Sequence, residues 1–251
     1  MKKFMALLLV AGMTLSLTAC GGSTDTAKTD QADGKDTFTV GFDQDFPPFG
    51  YVGDDGEFTG FDIEMATECA ARMGKKIVLQ PIDWDAKDME LEAGTIDCIW
   101  NGFTMNGRED QYTWTDPYMD NSQVVVVKKD SGINTLADLA GKVVEVQKES
   151  AAETALNDEE HADLMASFAQ LLSVGEYNTA FMDLESGAVD AVAIDIGVAQ
   201  FQIEGKEDQY QILDETISSE QYAVGFFLGN TALRDEVQSL SLIHISEPTR
   251  P

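Results

Sequence analysis

Two charged residues of opposite sign follow two similar segments of this sequence. Arg108 lies in the stretch CIWNGFTMNGRED, residues 98–110, and Asp195 directly follows the apolar stretch VDAVAI. A guanidinium binds a carboxylate through two parallel hydrogen bonds, and a carboxylate accepts hydrogen bonds from an ammonium group. The two residues therefore offer the charges that complement a zwitterion, such as the backbone of a free amino acid. Arginine is scarce here, since the chain has only four arginines and a formal net charge of -29.

The segments before these two residues are copies of one pattern. MELEAGTIDCIW (residues 89–100) and MDLESGAVDAVA (residues 182–193) share Met, Leu, Glu, Gly and Asp at an offset of 93 positions. Each copy predicts the end of a helix, a glycine that terminates it, and a buried strand. Helix–Gly–strand is a common pattern, but two such copies favour two similar α/β lobes. Ligands bind at the carboxyl ends of parallel strands, so we expect Arg108 and Asp195 to face one site.

Helix and strand patterns alternate along the rest of the chain. Strands are predicted in TFTVGF (37–42), KIVLQPI (76–82), QVVVVKK (123–129) and SEQYAVGFFL (219–228), and an amphipathic helix in FDIEMATECAARMG (61–74). TLADLAGKVVEVQ (135–147) predicts a short helix and then a strand. SAAETAL (150–156) predicts a helix that Ser150 and Glu153 cap reciprocally, and its first amides would add donors for a ligand carboxylate. This alternation predicts parallel α/β sheets.

The composition argues against a nucleic-acid partner. Asp and Glu number 45 against 16 Lys and Arg, whereas phosphate binding needs a basic surface. Such charge favours a soluble monomer through self-repulsion. The length suits one large domain or two lobes of about 100 residues.

The N-terminus has the features of an export signal. Lys2 and Lys3 precede the apolar stretch FMALLLVAGMTLSL, and LTAC places Cys20 after small residues. This order predicts a signal peptide over residues 1–19 and resembles the lipobox of bacterial lipoproteins, in which the cysteine is lipidated. The alternative is an ordinary signal peptide in which Cys20 is incidental. Residues 20–36 are rich in Gly, Ser, Thr and Asp and predict a flexible tether.

The C-terminal run LSLIHISEPTR can be written codon by codon as transposase-adapter DNA used for sequencing libraries. We therefore expect residues 240–251 to be an artefact that replaces the native C-terminus, the alternative being a natural tail. His161 is then the only genuine histidine. Cys69 and Cys98 both lie in apolar patterns, which favours two buried free thiols over a disulfide between them.

Several longer motifs together resemble the substrate-binding lipoproteins of polar amino-acid ABC transporters. The resemblance covers residues 37–239 through GFDQDFPPFGY, GEFTGFDIEMA, GTIDCIWNGFTMNGRE, WTDPYMDNSQVVVV, GKVVEVQKESAAE and VDAVAIDIGVA. It implies an α/β fold of the type II periplasmic-binding-protein kind, with two similar lobes joined by two hinge strands near 118–122 and 218–222. Lobe 1 would comprise residues 37–121 and 222–239, and lobe 2 residues 122–221.

The same resemblance implies a function and a set of binding residues. The protein would capture a polar L-amino acid between its lobes and deliver it to the permease subunits of an ABC importer. It would be anchored through Cys20 to the outer face of the cytoplasmic membrane, or reside in the periplasm, and would need no metal or cofactor. The implied ligand residues are Asp43, Phe46, Trp84 and Asn101 at the side-chain pocket, Gly102, Thr104 and Asp195 at the α-ammonium, Arg108, Ser150 and Ala151 at the α-carboxylate, and Gln147 from lobe 2.

Each of these residues also has a purely structural interpretation. Arg108 could pair with Glu109 or Asp110, Asp195 and Ser150 could be helix caps, and Phe46 and Trp84 could be core residues. Asp43 suits a cationic side chain, but it suits an amide or a second ammonium as well, as in glutamine or cystine.

Two other functions are alternatives to amino-acid binding. One is an enzyme on the same fold, resembling a dehydratase or a lytic transglycosylase, but the chain has no nucleophile motif or metal-ligand cluster, so we predict no enzyme. The other is the ligand-sensing domain of a receptor.

Overall fold

The computed structural model describes residues 36–241 of the chain. The predicted signal peptide, Cys20, nearly all of the predicted tether and residues 242–251 lie outside this range. Leu240 and Ser241, at the start of the predicted artefact, continue the last described helix.

Strands and helices alternate over most of this range, as the sequence patterns predicted. The strands are β1 (Thr37–Phe42), β2 (Asp45–Phe46), β3 (Gly50–Val52), β4 (Phe58–Thr59), β5 (Lys76–Pro81), β6 (Cys98–Ile99), β7 (Thr113–Trp114), β8 (Met119–Lys128), β9 (Val143–Gln147), β10 (Gln170–Val174), β11 (Ala191–Asp195), β12 (Tyr210–Ile212), β13 (Ser218–Tyr222) and β14 (Gly225–Phe226). The α-helices are α1 (Phe61–Arg72), α2 (Lys87–Ala93), α3 (Ala151–Leu156), α4 (Ala162–Ser167), α5 (Tyr177–Ser186), α6 (Ile196–Ile203) and α7 (Thr231–Ser241). Short 3-10 turns occupy Trp84–Ala86, Leu136–Leu139 and Glu159–His161.

The strands form two larger sheets, which confirms the predicted α/β fold with two lobes. The first sheet has the order β5-β1-β6-β14-β7. The second has the order β10-β9-β11-β8-β12, and β13 pairs with β8 outside that path. β2, β3 and β4 form a small third sheet.

The prediction of parallel sheets is confirmed only in part, because both large sheets are mixed. β1 pairs in parallel with β5 and β6, and β9 with β10 and β11, whereas β8 and β14 pair antiparallel with their neighbours. Parallel pairing requires a long crossover connection. Only residues 115–118 lie between β7, in the first sheet, and β8, in the second sheet. The chain therefore passes from one sheet to the other without a long crossover connection. The predicted strand 219–228 is two strands, β13 in the second sheet and β14 in the first.

The run of four valines in β8 is buried on both faces of the second sheet. Val124 and Val126 pack with side chains of α5 and α6, whereas Val125 and Val127 pack with side chains of α3. Successive side chains of a strand point to opposite faces, and helices cover both faces here. This explains why the strand is continuously apolar instead of alternating.

The internal repeat has the predicted structure in both copies. α2 ends at Gly94 with φ 72°, and α5 ends at Gly187 with φ 81°, a left-handed conformation that glycine adopts without strain. Each helix is followed by a strand, β6 in the first sheet and β11 in the second. The two copies thus bring two equivalent strand ends into the two sheets.

Cys69 and Cys98 are both buried and free, which confirms the interpretation as two thiols without a disulfide. Burial raises the pKa of the Cys69 thiol to about 11 and that of Cys98 well above its ordinary value. In residues 36–241, no helix combines the length and the apolar character that crossing a membrane requires.

Candidate functional site

One small cavity is lined by most of the ligand-binding residues that were predicted from the sequence. It holds about 280 Å³, including space open to solvent, and lies where the ends of β6, β9 and β11 approach the start of α3. Its lining consists of Phe46, Trp84, Asn101, Gly102, Thr104, Arg108, Gln147, Ser150, Ala151 and Asp195. Asp43, the remaining nominated residue, lies beside it and lines an adjoining groove.

Arg108 enters this cavity from the loop after β6 and carries an unpaired charge. Its two terminal nitrogens donate to backbone carbonyls, Nη1 to Thr104 at 3.1 Å and Nη2 to Glu149 at 3.3 Å. Its guanidinium carbon lies 5.4 Å from the centre of the Phe103 ring, within the range of a cation–π contact. No carboxylate within residues 36–241 forms a salt bridge with it, so the predicted alternative of a pair with Glu109 or Asp110 is wrong.

Asp195 carries the opposite charge at the end of β11. It occupies the position before the first residue of α6, but its carboxylate makes no capping hydrogen bond, so the capping alternative is wrong. Its Oδ1 accepts hydrogen bonds from Asn121, Gln123 and the Tyr222 hydroxyl, at 2.8, 2.7 and 2.5 Å. Burial, followed by the negative charge of Glu220, raises the pKa of Asp195 to about 7.

The loop between Arg108 and β6 is held by a buried carboxylate that the sequence did not nominate. Asp62 is the second residue of α1, and its Oδ2 accepts hydrogen bonds from the Gly102 amide at 2.5 Å and the Tyr118 hydroxyl at 2.9 Å. Gly102 has φ 56°, and a Cβ there would lie 2.9 Å from the Phe46 ring. The backbone thus turns at a point where only glycine fits. Burial raises the pKa of Asp62 to about 7.

Asn101 and Thr104 are the side chains that this loop presents. Asn101 is buried, and its Oδ1 accepts no hydrogen bond from the described residues. The Thr104 hydroxyl donates to Glu220 Oε1 at 2.9 Å. Because that hydrogen points away, both lone pairs of the hydroxyl remain free to accept.

Asp43 and Gln147 meet where β1 and β9 end. Gln147 Nε2 donates to Asp43 Oδ2 at 2.6 Å and to the Gly175 carbonyl at 2.9 Å. Asp43 Oδ1 accepts from the Asp45 amide at 2.8 Å. Burial raises the pKa of Asp43 to about 6, and these two hydrogen bonds oppose the rise.

The aromatic residues of the site belong to the core and to the cavity wall at once. Phe46 packs with Phe49 and Tyr177, with ring centres 5.7 and 6.1 Å apart. Trp84 meets Phe103 edge to face at 5.4 Å. Phe46 and Trp84 are therefore core residues, and they also line the cavity.

Ser150 caps α3, as predicted, and Ala151 opens that helix. Ser150 Oγ accepts from the Glu153 amide at 3.1 Å. The reciprocal half of the predicted capping box is wrong, because the Glu153 carboxylate accepts from the Glu149 amide, one residue earlier, at 2.6 Å. Glu149 has φ 57°, which is uncommon for a residue other than glycine, and this turn aims its carbonyl at Arg108.

Two salt bridges beside the site were not predicted from the sequence. Lys87 of α2 is 3% exposed, and its Nζ lies 3.0 Å from Glu149 Oε2. Lys148 Nζ lies 2.7 Å from Asp85 Oδ2. In the sequence, both lysines lie in ordinary polar surroundings, so no local signal singled them out.

An acidic groove opens beside the cavity. Trp84 lines both spaces, and the groove holds about 980 Å³, including space open to solvent. The carboxylates that line it are Asp43, Asp45, Asp83, Asp85, Glu90 and Glu176. Within the described residues, no group of three or more His, Cys, Asp or Glu is arranged to hold a metal ion.

Comparison with known proteins gives a consistent result over most of the chain. The profile of the family described as bacterial extracellular solute-binding proteins, family 3, matches residues 38–240. The L-cystine-binding protein TcyJ of Escherichia coli K12 is 30% identical over 232 residues, which cover 91% of this chain and 83% of that protein. The arginine-binding extracellular protein ArtP of Bacillus subtilis 168 is 36% identical over 148 residues, covering 59% and 56%.

A solved structure extends the comparison to three dimensions. An ABC uptake transporter substrate-binding protein from Streptococcus pneumoniae with bound histidine superposes with a TM-score of 0.79 at 32% identity. The superposition covers 84% of this chain and 87% of that one.

Proposed function

The chain belongs to the bacterial extracellular solute-binding proteins of family 3, and from this membership and the site we propose that it captures a polar L-amino acid for an ABC importer. The α-carboxylate would bind Arg108, helped by Ser150 and the Ala151 amide. The α-ammonium would bind Asp195, the Thr104 hydroxyl and the Gly102 carbonyl. Binding would proceed without turnover of the ligand.

The observation that carries this proposal is a pair of uncompensated charges facing one cavity. Arg108 forms no salt bridge within residues 36–241, although the chain is strongly acidic. Among the described residues, Asp195 is likewise hydrogen-bonded only to neutral groups. Asp195 is buried, where uncompensated charge is costly unless a ligand neutralises it, and a zwitterion neutralises the charges of Asp195 and Arg108 at once.

The surroundings of the side-chain pocket favour a ligand with donors at its far end. Asp43 is 5% exposed and forms no salt bridge in the described part of the chain, and the groove beyond it is lined by carboxylates. We expect arginine, lysine, ornithine or histidine to suit this pocket through a cation, and glutamine or cystine through an amide or a second ammonium. An acidic side chain would be repelled by Asp43.

We further infer a cellular arrangement from the ends of the chain and the hinge region. Cys20 would carry a lipid anchor, residues 20–36 would tether the protein outside the cell, and the permease subunits would receive the ligand. β8 and β13 pair from Tyr222 with Met119 to Ser218 with Gln123, where the two hinge strands are expected. Residues 37–121 with 222–239 would move against residues 122–221 about this pair. Incorporation of labelled palmitate that Cys20→Ala abolishes would support the anchor.

A ligand screen tests the proposed function directly. The protein without its first 19 residues would be heated with each of the twenty amino acids, cystine and ornithine. A ligand at 100 to 1,000 times its Kd should raise stability by roughly 3–4 kcal/mol, which is visible as a higher Tm. The ligand should be recovered chemically unchanged after long incubation. Failure of all these compounds to shift the Tm or to bind in calorimetry would refute the proposal.

A further inference from the structure

A second buried carboxylate lies directly behind the proposed ammonium subsite. Glu220 is on β13 and is 7% exposed. Its Oε1 accepts three hydrogen bonds, from Thr104 Oγ1 at 2.9 Å, Asn121 Nδ2 at 2.6 Å and Gln123 Nε2 at 2.7 Å. It does not line the cavity itself. Glu220 can therefore act on the ligand site only through the side chains that donate hydrogen bonds to it.

The two amide side chains of β8 bind Glu220 and Asp195 at once. Asn121 Nδ2 lies 2.8 Å from Asp195 Oδ1 and 2.6 Å from Glu220 Oε1. Gln123 Nε2 lies 2.7 Å from each of these oxygens. An amide nitrogen carries two hydrogens, so each amide serves both carboxylates. The two carboxylates are thus held side by side by four N–H groups.

No positive side chain offsets this pair within the described residues. None of the salt bridges between residues 36 and 241 includes Asp195 or Glu220. Two adjacent buried carboxylates cannot both ionise at low cost, so one of them retains a proton unless a cation arrives.

We propose that Glu220 is a positioning residue for ammonium recognition, which orients the Thr104 hydroxyl and makes the carboxylate pair hold one proton that ligand binding releases. This inference rests on the proposed function, because the ligand's α-ammonium is the arriving cation. Glu220 withdraws the Thr104 hydrogen from the cavity, so the hydroxyl can only accept from the ammonium. The released proton goes to the buffer, and the ammonium takes over its role in neutralising the pair.

The other ionisable groups near the pair do not supply the proton that ligand binding releases. Tyr222 donates its hydroxyl to Asp195, and burial raises the pKa values of Tyr222 and Tyr177 well above the ordinary range. Arg108 reaches the Thr104 carbonyl and is assigned to the ligand carboxylate. Asp62 and Tyr118 hydrogen-bond to each other on the far side of Gly102. Asp62 also has a pKa of about 7, but it does not line the cavity, so the proton that the ligand's ammonium displaces belongs to the pair.

The consequence is an affinity that depends on pH with a definite sign. The pair binds a proton below the Asp195 pKa of about 7 and must lose it when the ammonium binds. Affinity should therefore rise about tenfold between pH 6 and pH 8, with the midpoint near 7. At pH 7 binding should release about half a proton.

Calorimetry of Glu220→Gln tests the inference. The probe is L-arginine, or the screened amino acid that binds most tightly if L-arginine does not bind, titrated in buffers of different ionisation enthalpy. Wild type should release about half a proton at pH 7, and Glu220→Gln clearly less, because without the neighbouring negative charge only burial still raises the Asp195 pKa. The matched control Glu204→Gln, at an exposed glutamate, should behave as wild type.

The outcomes separate this inference from the proposed function. Binding by wild type without proton release, or equal release by Glu220→Gln, would overturn the role of Glu220. If Glu220→Gln does not fold, the wild-type profile decides, since a flat profile or a midpoint near the Asp43 pKa of about 6 would also overturn it. Absence of binding by every amino acid would instead overturn the proposed function.

Discussion

Gln147 Nε2 donates a 2.6 Å hydrogen bond to Asp43 Oδ2, and this bond joins the end of β9 in the second sheet to the end of β1 in the first. Asp43 lines the acidic groove, which adjoins the cavity at Trp84. This position is suited to reading the far end of a ligand side chain. In the proposed binding mode, Asp43 therefore links side-chain recognition to the contact between the two sheets.

Replacing Asp43 with asparagine should change which ligand is preferred. A hydrogen bond to a charged group contributes about 1.5–3 kcal/mol, so Asp43→Asn should weaken binding of a cationic amino acid roughly tenfold to a hundredfold. Glutamine should lose much less. Calorimetry with arginine and glutamine measures the difference, with Asp45→Asn as the control on a neighbouring carboxylate. An equal loss for both ligands would show that Asp43 acts only through its bond to Gln147.

Replacing Arg108 with alanine should abolish most ligand binding. Truncating one partner of a buried charge pair costs on the order of 3–5 kcal/mol, more than a hundredfold in affinity. Arg72→Ala is the matched control, since Arg72 pairs with Glu68 on the exposed surface of α1. It should leave the Kd unchanged. A loss of less than tenfold for Arg108→Ala, with an unchanged Tm, would contradict its assignment to the carboxylate.

The sequence was informative about the site wherever a local pattern places a residue at a strand end. Arg108 and Asp195 could be predicted together because the repeat implies equivalent strands in two sheets. Glu220 could not, since SSEQY reads as a polar strand and its burial depends on pairing between β13 and β8. Asp62 looks like an ordinary acidic residue in the first turn of a helix. Its role depends on a loop 40 positions away, which no local pattern encodes.

The burial of Asp62 should make the stability of the protein depend on pH. Its folded pKa of about 7 exceeds the unfolded value of about 3.8, so its contribution to stability is fully present below pH 3.8 and is lost as pH rises from there to about 7. Asp62→Asn should remove the contribution of Asp62, while those of Asp43 and Asp195 remain, so the slope of unfolding free energy against pH should change by at most about 1.4 kcal/mol per pH unit. Urea titrations between pH 5 and pH 8 measure the slope, with Glu64→Gln as the exposed control. Identical slopes for Asp62→Asn and wild type would be inconsistent with a raised Asp62 pKa.

The pair of Lys87 and Glu149 should contribute to ligand affinity without contacting the ligand. Lys87 Nζ is buried between the Trp84 carbonyl, at 3.3 Å, and the Glu149 carboxylate, at 3.0 Å. Glu149 is half exposed and would be resolvated if Lys87 were lost, so Lys87→Met should cost roughly 1–2 kcal/mol, about five- to thirtyfold in Kd.

Lys148 provides the comparison for this prediction. It forms a salt bridge with Asp85 in which both side chains are exposed. Lys148→Met should raise the Kd less than about fivefold, because exposed pairs contribute little and are screened by salt. Calorimetry at low and high salt separates the two cases, since only the effect of Lys148→Met should vanish at high salt. Equal effects of the two substitutions at both salt concentrations would show that burial gives Lys87 no special contribution to holding the ligand between the two sheets.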